Sequence, residues 1–404
     1  MTIRIDAQLL IPGKGEPTEN ASVLMDGGAI SFVGATDGAP DADDTVSVGT
    51  VMPGLWDCHS HFMGTPVPNL EAVVNMSPAL AGSRSGRDLE RVLQGGVTSV
   101  REVGGYGIDI RHAIDDGSLP GPNVYAAGSV LSTTGGHGDV HAYPLDFVHD
   151  VWTLGVLCDG VPDCLKAVRK QLRRGAAVIK ICASGGVMSE IDHPIHQQFS
   201  GEELRAIVEE AGRAERIVAA HCHGKPGMMA ALEAGVKTIE HGSFLDDEVA
   251  DAMRETDAVL VPTRYIVNEL LGMEQSLPPY AYRKGVAIAE QHALALKTAV
   301  AAGVTIAMGC DIFVSGAMYG TNSREIGHLV DAGLNPLEAI ESATANGPLT
   351  LGPQAPVSGR LKEGYAADVI ALDFDPLKDV SAWGNPARVT HVWKGGVSFK
   401  QPVA

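Results

Sequence analysis

The stretch Val51-Met52-Pro53-Gly54-Leu55-Trp56-Asp57-Cys58-His59-Ser60-His61 sets how the rest of the chain is read. Its first half is apolar and its last five residues are mostly polar, as in a buried strand whose end opens onto a polar site. Side chains two apart on a strand point the same way, so His59 and His61 can face one side together and grip one ion. An HxH pair alone is weak, and its placement gives it weight. Strand-like segments recur at 97–103, 123–127, 177–182, 217–221, 237–241, 258–262 and 304–310, which with 51–58 makes eight. Segments of helical composition, such as 204–213 and 287–301, lie between most of them, while 128–160 reads as a long irregular connection. Alternating strands and helices imply a parallel sheet. Eight such units over about 300 residues predict an α/β fold, a (β/α)8 TIM barrel spanning 51–349, with its active site built by the loops that follow the strands.

Both ends of the chain read differently. Ala21–Met25 and Ala29–Val33 flank Asp26-Gly27-Gly28, a hairpin signal. Near the other end, 368–372 and 389–393 are followed by Lys394-Gly395-Gly396 and then 397–399. We expect one small β-sandwich domain made from both termini, 1–50 and 350–404. A length of 404 residues suits a large barrel plus such a unit.

Composition narrows the function classes. The chain is 45% hydrophobic and 20% charged, a globular balance. A net charge of −19 argues against nucleic acid and anionic membranes as partners. No stretch reaches the roughly 18 apolar residues of a membrane span. The start, Met1-Thr2-Ile3-Arg4-Ile5-Asp6, lacks signal-peptide order, so a cytoplasmic location is expected. None of the six cysteines forms a CxxC pair. Cys58, Cys182, Cys222 and Cys310 each lie within two residues of a candidate ligand, and read either as thiolate ligands or as small packing residues. A disulfide framework is not expected.

Four more polar residues sit at strand ends: Lys180, His221, His241 and Asp311. Lys180 lies inside the apolar run 177–182, where an unpaired ammonium is costly to bury. Either it pairs with a carboxylate, or carbon dioxide has converted it to a carbamate whose two oxygens can bridge two metals. With His59 and His61, these residues occupy the same end of strands one, four, five, six and eight.

This pattern resembles the binuclear metal-dependent amidohydrolase superfamily, in the branch of imidazolonepropionase-like prolidases, related carboxypeptidases and ochratoxin-hydrolysing amidohydrolases. The resemblance covers nearly the whole chain, including Pro53-Gly54-Leu55-Trp56-Asp57, Ser184-Gly185-Gly186-Val187-Met188-Ser189 and Gly359-Arg360-Leu361-Lys362-Glu363-Gly364-Tyr365-Ala366-Ala367-Asp368. It implies two divalent metals, zinc by expectation. His59, His61 and Asp311 would hold the more buried one, and His221 and His241 the more exposed one. A carboxylated Lys180 and a hydroxide would bridge both. It further implies that Asp311 moves the proton and that His137 polarises the scissile carbonyl. His223 stands where some relatives carry a substrate-contacting Tyr, a departure that bears on substrate choice.

The chemistry fits amide hydrolysis. A bound metal lowers the pKa of water from about 15.7 to about 7, and the leaving nitrogen must be protonated to depart. The expected substrate is a small molecule such as a dipeptide, N-acyl amino acid or ochratoxin-like amide, and the enzyme is expected to be a homo-oligomer. Carbamate or phenylurea hydrolysis on the same barrel is an alternative. A single-metal imidazolonepropionase or deaminase does not use a bridging lysine, so Lys180 argues against it. A non-catalytic scaffold would not retain all six candidate ligands. Arg264 and Tyr265, after strand seven, are candidates for binding a substrate carboxylate. Asp57 either orients His59 or His61 or makes a strand-end contact. Glu240 should point away from the site, into a barrel–helix salt bridge. His141, His193 and His196 lie on the expected lid loops, and the remaining histidines read as surface or structural.

Overall fold

The computed structural model describes residues 1–151 and 153–402. It is a mixed α/β fold whose two kinds of sheet follow the two kinds of sequence. Strands from both termini pair in one seven-stranded sheet. Thr18–Asp26 pairs antiparallel with Ala29–Ala35 across Gly27 and Gly28, both at positive φ (55° and 87°), as a tight hairpin turn requires. Gly395 and Gly396 repeat this device between Val389–Lys394 and Val397–Lys400. Val369–Leu372, from the C-terminal part, pairs antiparallel with Asp44–Pro53, which joins the ends. Ile5, Val23, Val51, Val369 and Trp393 form a core beneath this sheet, apart from the main core.

The expected first strand, 51–58, is therefore divided. Val51, Met52 and Pro53 finish the terminal sheet, and a new strand, Leu55–Ser60, begins after Gly54. A side chain at Gly54 would put its Cβ 2.1 Å from Thr98 Oγ1, so only glycine allows the chain to pass from one sheet to the other here.

Leu55–Ser60, Val97–Glu102 and Asn123–Ala126 pair in parallel. A second parallel set includes Val130–Ser132, Ile179–Cys182, Val218–Cys222, Thr238–His241 and Val259–Val261. Ala177 N donates to Ala126 O at 2.9 Å, linking the two sets. Contrary to expectation, 304–310 forms no regular strand. Ala307 N donates to Leu260 O and Cys58 N to Met308 O, so the segment joins its two neighbours, but Met308 N turns aside to Ser342 O. Gly309 explains the irregularity: a Cβ there would lie 2.4 Å from Val261 Cγ1 and 2.8 Å from His59 Cβ.

The expected helices form as Gly201–Gly212, started by a capping box at Ser200 and Glu203, and as a longer Pro279–Ala301. The connection 128–160 is less irregular than expected, with strands Val130–Ser132 and Gly155–Leu157 and a helix Leu145–Val151.

Candidate active site

One cavity opens at the C-terminal ends of the parallel strands. It is lined by His59, His61, His137, Lys180, His221, His223, His241 and Asp311, so eight of the ten residues singled out from sequence converge. Their neighbours set what each can do. His59 Nδ1 lies 2.7 Å from Glu240 Oε2, and His61 Nδ1 lies 2.7 Å from the carbonyl of Gly104. A carboxylate and a carbonyl only accept, so both rings carry their proton on Nδ1 and leave Nε2 bare. His221 is the reverse: Nε2 faces Gly185 O at 3.2 Å, which leaves Nδ1 bare. His241 Nδ1 pairs with Thr263 Oγ1 at 2.8 Å.

Burial keeps these rings neutral. It pushes the imidazoles of His59 and His137 down to about 4 and that of His223 to about 3, with His221 and His241 well below their ordinary value.

Asp311 Oδ1 stands 3.2 Å from His61 Nε2 and 3.6 Å from His59 Nε2. Three acceptors with no proton between them repel unless a cation lies among them. Ligands about 2.1 Å from a tetrahedral zinc stand about 3.4 Å apart, so this spacing fits a metal. Beside them, Lys180 Nζ is buried and has no hydrogen-bond partner among the described residues. Burial holds its amine below the usual lysine range, which favours the neutral form that reacts with carbon dioxide. An orphaned amine among bare ring nitrogens is what a bridging carbamate would satisfy.

His223 also comes within ligand reach: His221, His223 and His241 place ligand atoms within 4.8 Å of one another. Its Nδ1 bonds Ser243 Oγ at 2.7 Å.

Three expectations change, and the alternative left open at Asp57 resolves to a strand-end contact. Glu240 does not face a helix but lies in the interior, wholly buried, where both its oxygens accept from Arg101 Nη2 (2.7 and 2.8 Å) and one holds His59. Alternation fails because His241 adopts a left-handed φ of 71°, which lets Glu240 and His241 both serve the site. Asp57 does not hold a histidine ring; it accepts from the backbone of His59 and Cys310 and from Asn322 Nδ2, tying two strand ends together. Arg264 and Tyr265 do not line the cavity. Arg264 donates to Ala289 O at 2.7 Å and the Tyr265 hydroxyl meets Thr321, because both residues open a helix, Arg264–Leu271, that turns other positions inward. Ile266, Val267 and Leu270 of that helix line the cavity instead.

The cysteines are all buried and free, and Cys222 and Cys310 bond carbonyls of Gly224 and Asn322. Burial pushes the thiols of Cys58, Cys182 and Cys222 up to about 12, which fits packing residues better than thiolates. His141, His193 and His196 do not line the cavity. His141 bonds Gly136 O and Ile191 N across the loops, and the rings of His193 and His196 stand 5.0 Å apart.

Sequence reading missed Arg101, whose presence inside the strand 97–103 was the same signal that marked Lys180. It also missed the apolar wall of Met63, Leu70, Val187, Leu270 and Phe313. Among the lining residues Lys180 is the sole lysine, and no arginine is present.

The Amidohydrolase family model matches residues 50–398. Ochratoxinase of Aspergillus niger is 46% identical over 419 aligned residues, covering 98% of this chain and 86% of the relative. The crystal structure of A. niger ochratoxinase superposes with a TM-score of 0.93 at 44% identity, covering 99% of this chain and 96% of the other. A crystal structure of a Xaa-Pro dipeptidase with bound methionine in the active site gives 0.89 at 31% identity, covering 99% and 100%.

Proposed function

Because the chain belongs to the amidohydrolase family, we propose that it hydrolyses the amide bond of small, largely apolar substrates at a two-metal centre. The observation that carries this reading is the convergence of His59, His61, Lys180, His221, His241 and Asp311 in one apolar-walled cavity. The parallel strands and the 304–312 segment are then the (β/α)8 barrel, at 51–349, and the terminal strands a small β domain, at 1–50 and 350–404.

His59, His61 and Asp311 would hold one divalent ion through Nε2, Nε2 and a carboxylate oxygen. His221 Nδ1 and His241 would hold the other. Lys180, whose amine adds to carbon dioxide and loses a proton to give the carbamate, would touch both. The ions, zinc by our reading, would supply an acidified water and a Lewis acid for the scissile carbonyl. Asp311, whose side chain is 21% exposed and faces the cavity, takes the proton from the attacking water and delivers it to the leaving nitrogen. The apolar wall binds the groups flanking the amide and excludes water from the reacting atoms. Absence of an arginine among the lining residues disfavours recognition that depends on a buried carboxylate clamp.

The test is a substrate panel on zinc-loaded protein: N-acyl amino acids with aromatic or aliphatic groups, dipeptides, an ochratoxin-type amide, carbamates and phenylureas. Amide turnover that needs close to two ions per chain is expected. Carbamate or phenylurea turnover without amide turnover would replace the reading, and full activity with one ion would remove the two-metal centre from it.

A further inference from the structure

A chain of side chains behind His137 takes no part in holding metals. His137 Nδ1 lies 2.7 Å from Ser189 Oγ, and Ser189 Oγ lies against Asp192 Oδ1. The other Asp192 oxygen accepts from Gly186 N at 2.9 Å and from Gln198 Nε2 at 3.3 Å. Lys284, on the helix Pro279–Ala301, donates to the carbonyls of Gly186 (3.2 Å), Ser189 (2.6 Å) and Asp192 (2.5 Å), and its Nζ lies 3.3 Å from Asp192 Oδ1. The His137 ring packs on Gly186 so closely that a Cβ there would lie 2.2 Å from ring Cε1 and Nδ1.

We propose that Asp192 and Ser189, clamped by Lys284, are positioning residues that orient His137 and hold its proton on Nδ1. The logic is one of donors. An ionised carboxylate only accepts, so the single Ser189 hydroxyl proton goes to Asp192. Ser189 Oγ must then accept from His137, whose Nδ1 carries the proton. His137 Nε2 has no hydrogen-bond partner among the described residues, and the ring lines the cavity wall. The same contacts fix the plane of the His137 ring and aim Nε2 at the bound substrate. This inference rests on the amide-hydrolase reading only for its kinetic consequence; the tautomer stands apart from it.

The primary experiment is 15N-edited imidazole NMR of the zinc-loaded full chain, with His137→Gln used to assign the ring. The expected result is an Nδ1–H tautomer for His137 that is lost in Ser189→Ala and kept in Ser189→Thr. An Nε2–H tautomer in the wild type, or no change in Ser189→Ala, overturns the proposal. The second readout is kinetic, with N-benzoylglycyl-phenylalanine as the probe. Ser189→Ala should lower kcat roughly 100-fold, as a misplaced group does, with KM and metal content unchanged, and Ser189→Thr should recover most of it. Adding Ser189→Ala to His137→Gln should cause no further loss, whereas an additive loss would mean that Ser189 acts by some route other than His137. A wild type that turns over no amide counts against the proposed function and leaves the NMR result to decide this inference.

Discussion

Glu240 holds His59 from beneath: its Oε2 lies 2.7 Å from His59 Nδ1 while both its oxygens pair with Arg101, with all three side chains almost wholly buried. Burial alone would raise the Glu240 carboxyl, but Arg101, Lys180 and His59 together hold it below the ordinary carboxylate range. A charged Glu240 fixes the His59 proton on Nδ1 and directs Nε2 to the ion. Glu240→Gln should weaken metal binding by roughly 10- to 100-fold, the effect typical of partners that orient a ligand. It should also destabilise the fold by about 3–5 kcal/mol, because Arg101 is left as an uncompensated buried cation. Titration against a competing chelator, alongside urea unfolding, measures both. Unchanged affinity would mean that His59 needs no partner.

Lys180→Ala should lose metal and activity together. A small carboxylic acid should restore part of both by replacing the carbamate bridge, and Lys180→Arg should not, since a guanidinium cannot form it. Labelled bicarbonate should give a carbamate carbon signal in the wild type that both variants lack. Wild-type activity in either variant would end the bridging role.

The three imidazoles of His221, His223 and His241 leave one ring to spare. Ring centroids are 4.6 Å apart for His221–His241, 4.8 Å for His221–His223 and 4.9 Å for His223–His241, so distance alone does not choose. His221 closes the strand Val218–Cys222, while His223 follows it and is anchored by Ser243. His223→Ala should keep both ions and change KM or substrate preference, whereas His221→Ala should lose an ion. Loss of an ion in His223→Ala, measured by metal analysis, would exchange the two roles.

His292, which does not line the cavity, makes a pH prediction. It is buried, its Nε2 bonds Pro262 O at 2.8 Å, and burial pushes its pKa from 6.5 to about 4. The unfolded chain therefore binds a proton that the folded one refuses between about pH 6.5 and 4. Stability from this group is full above that window and falls as pH drops through it, by up to about 1.4 kcal/mol per pH unit. In metal-free protein, His292→Gln should flatten the dependence of urea stability on pH across the window. An equal slope in both proteins would show that His292 is not the source.

Chemistry-bearing residues at the ends of apolar runs were legible in the sequence. His59, His61, Lys180, His221, His241 and Asp311 stand out because burying a polar side chain is costly without a purpose. The terminal hairpins were legible for a similar local reason: paired glycines permit the positive φ that two-residue turns require. Those features depend on a few adjacent residues, so a linear chain displays them.

Tertiary structure decided what depends on distant partners. Which ring nitrogen stays bare is set by Glu240, Gly104 and Gly185, each far along the chain from the ring it bonds. Where Glu240 points was settled by the left-handed backbone at His241, a strain that strand periodicity does not register. Arg264 and Tyr265 were lost as substrate contacts because a helix begins at that point and rotates them away, bringing apolar neighbours inward. The Ser189–Asp192–Lys284 chain behind His137 joins a loop to a helix some 95 residues on, through hydrogen bonds that no sequence spacing encodes.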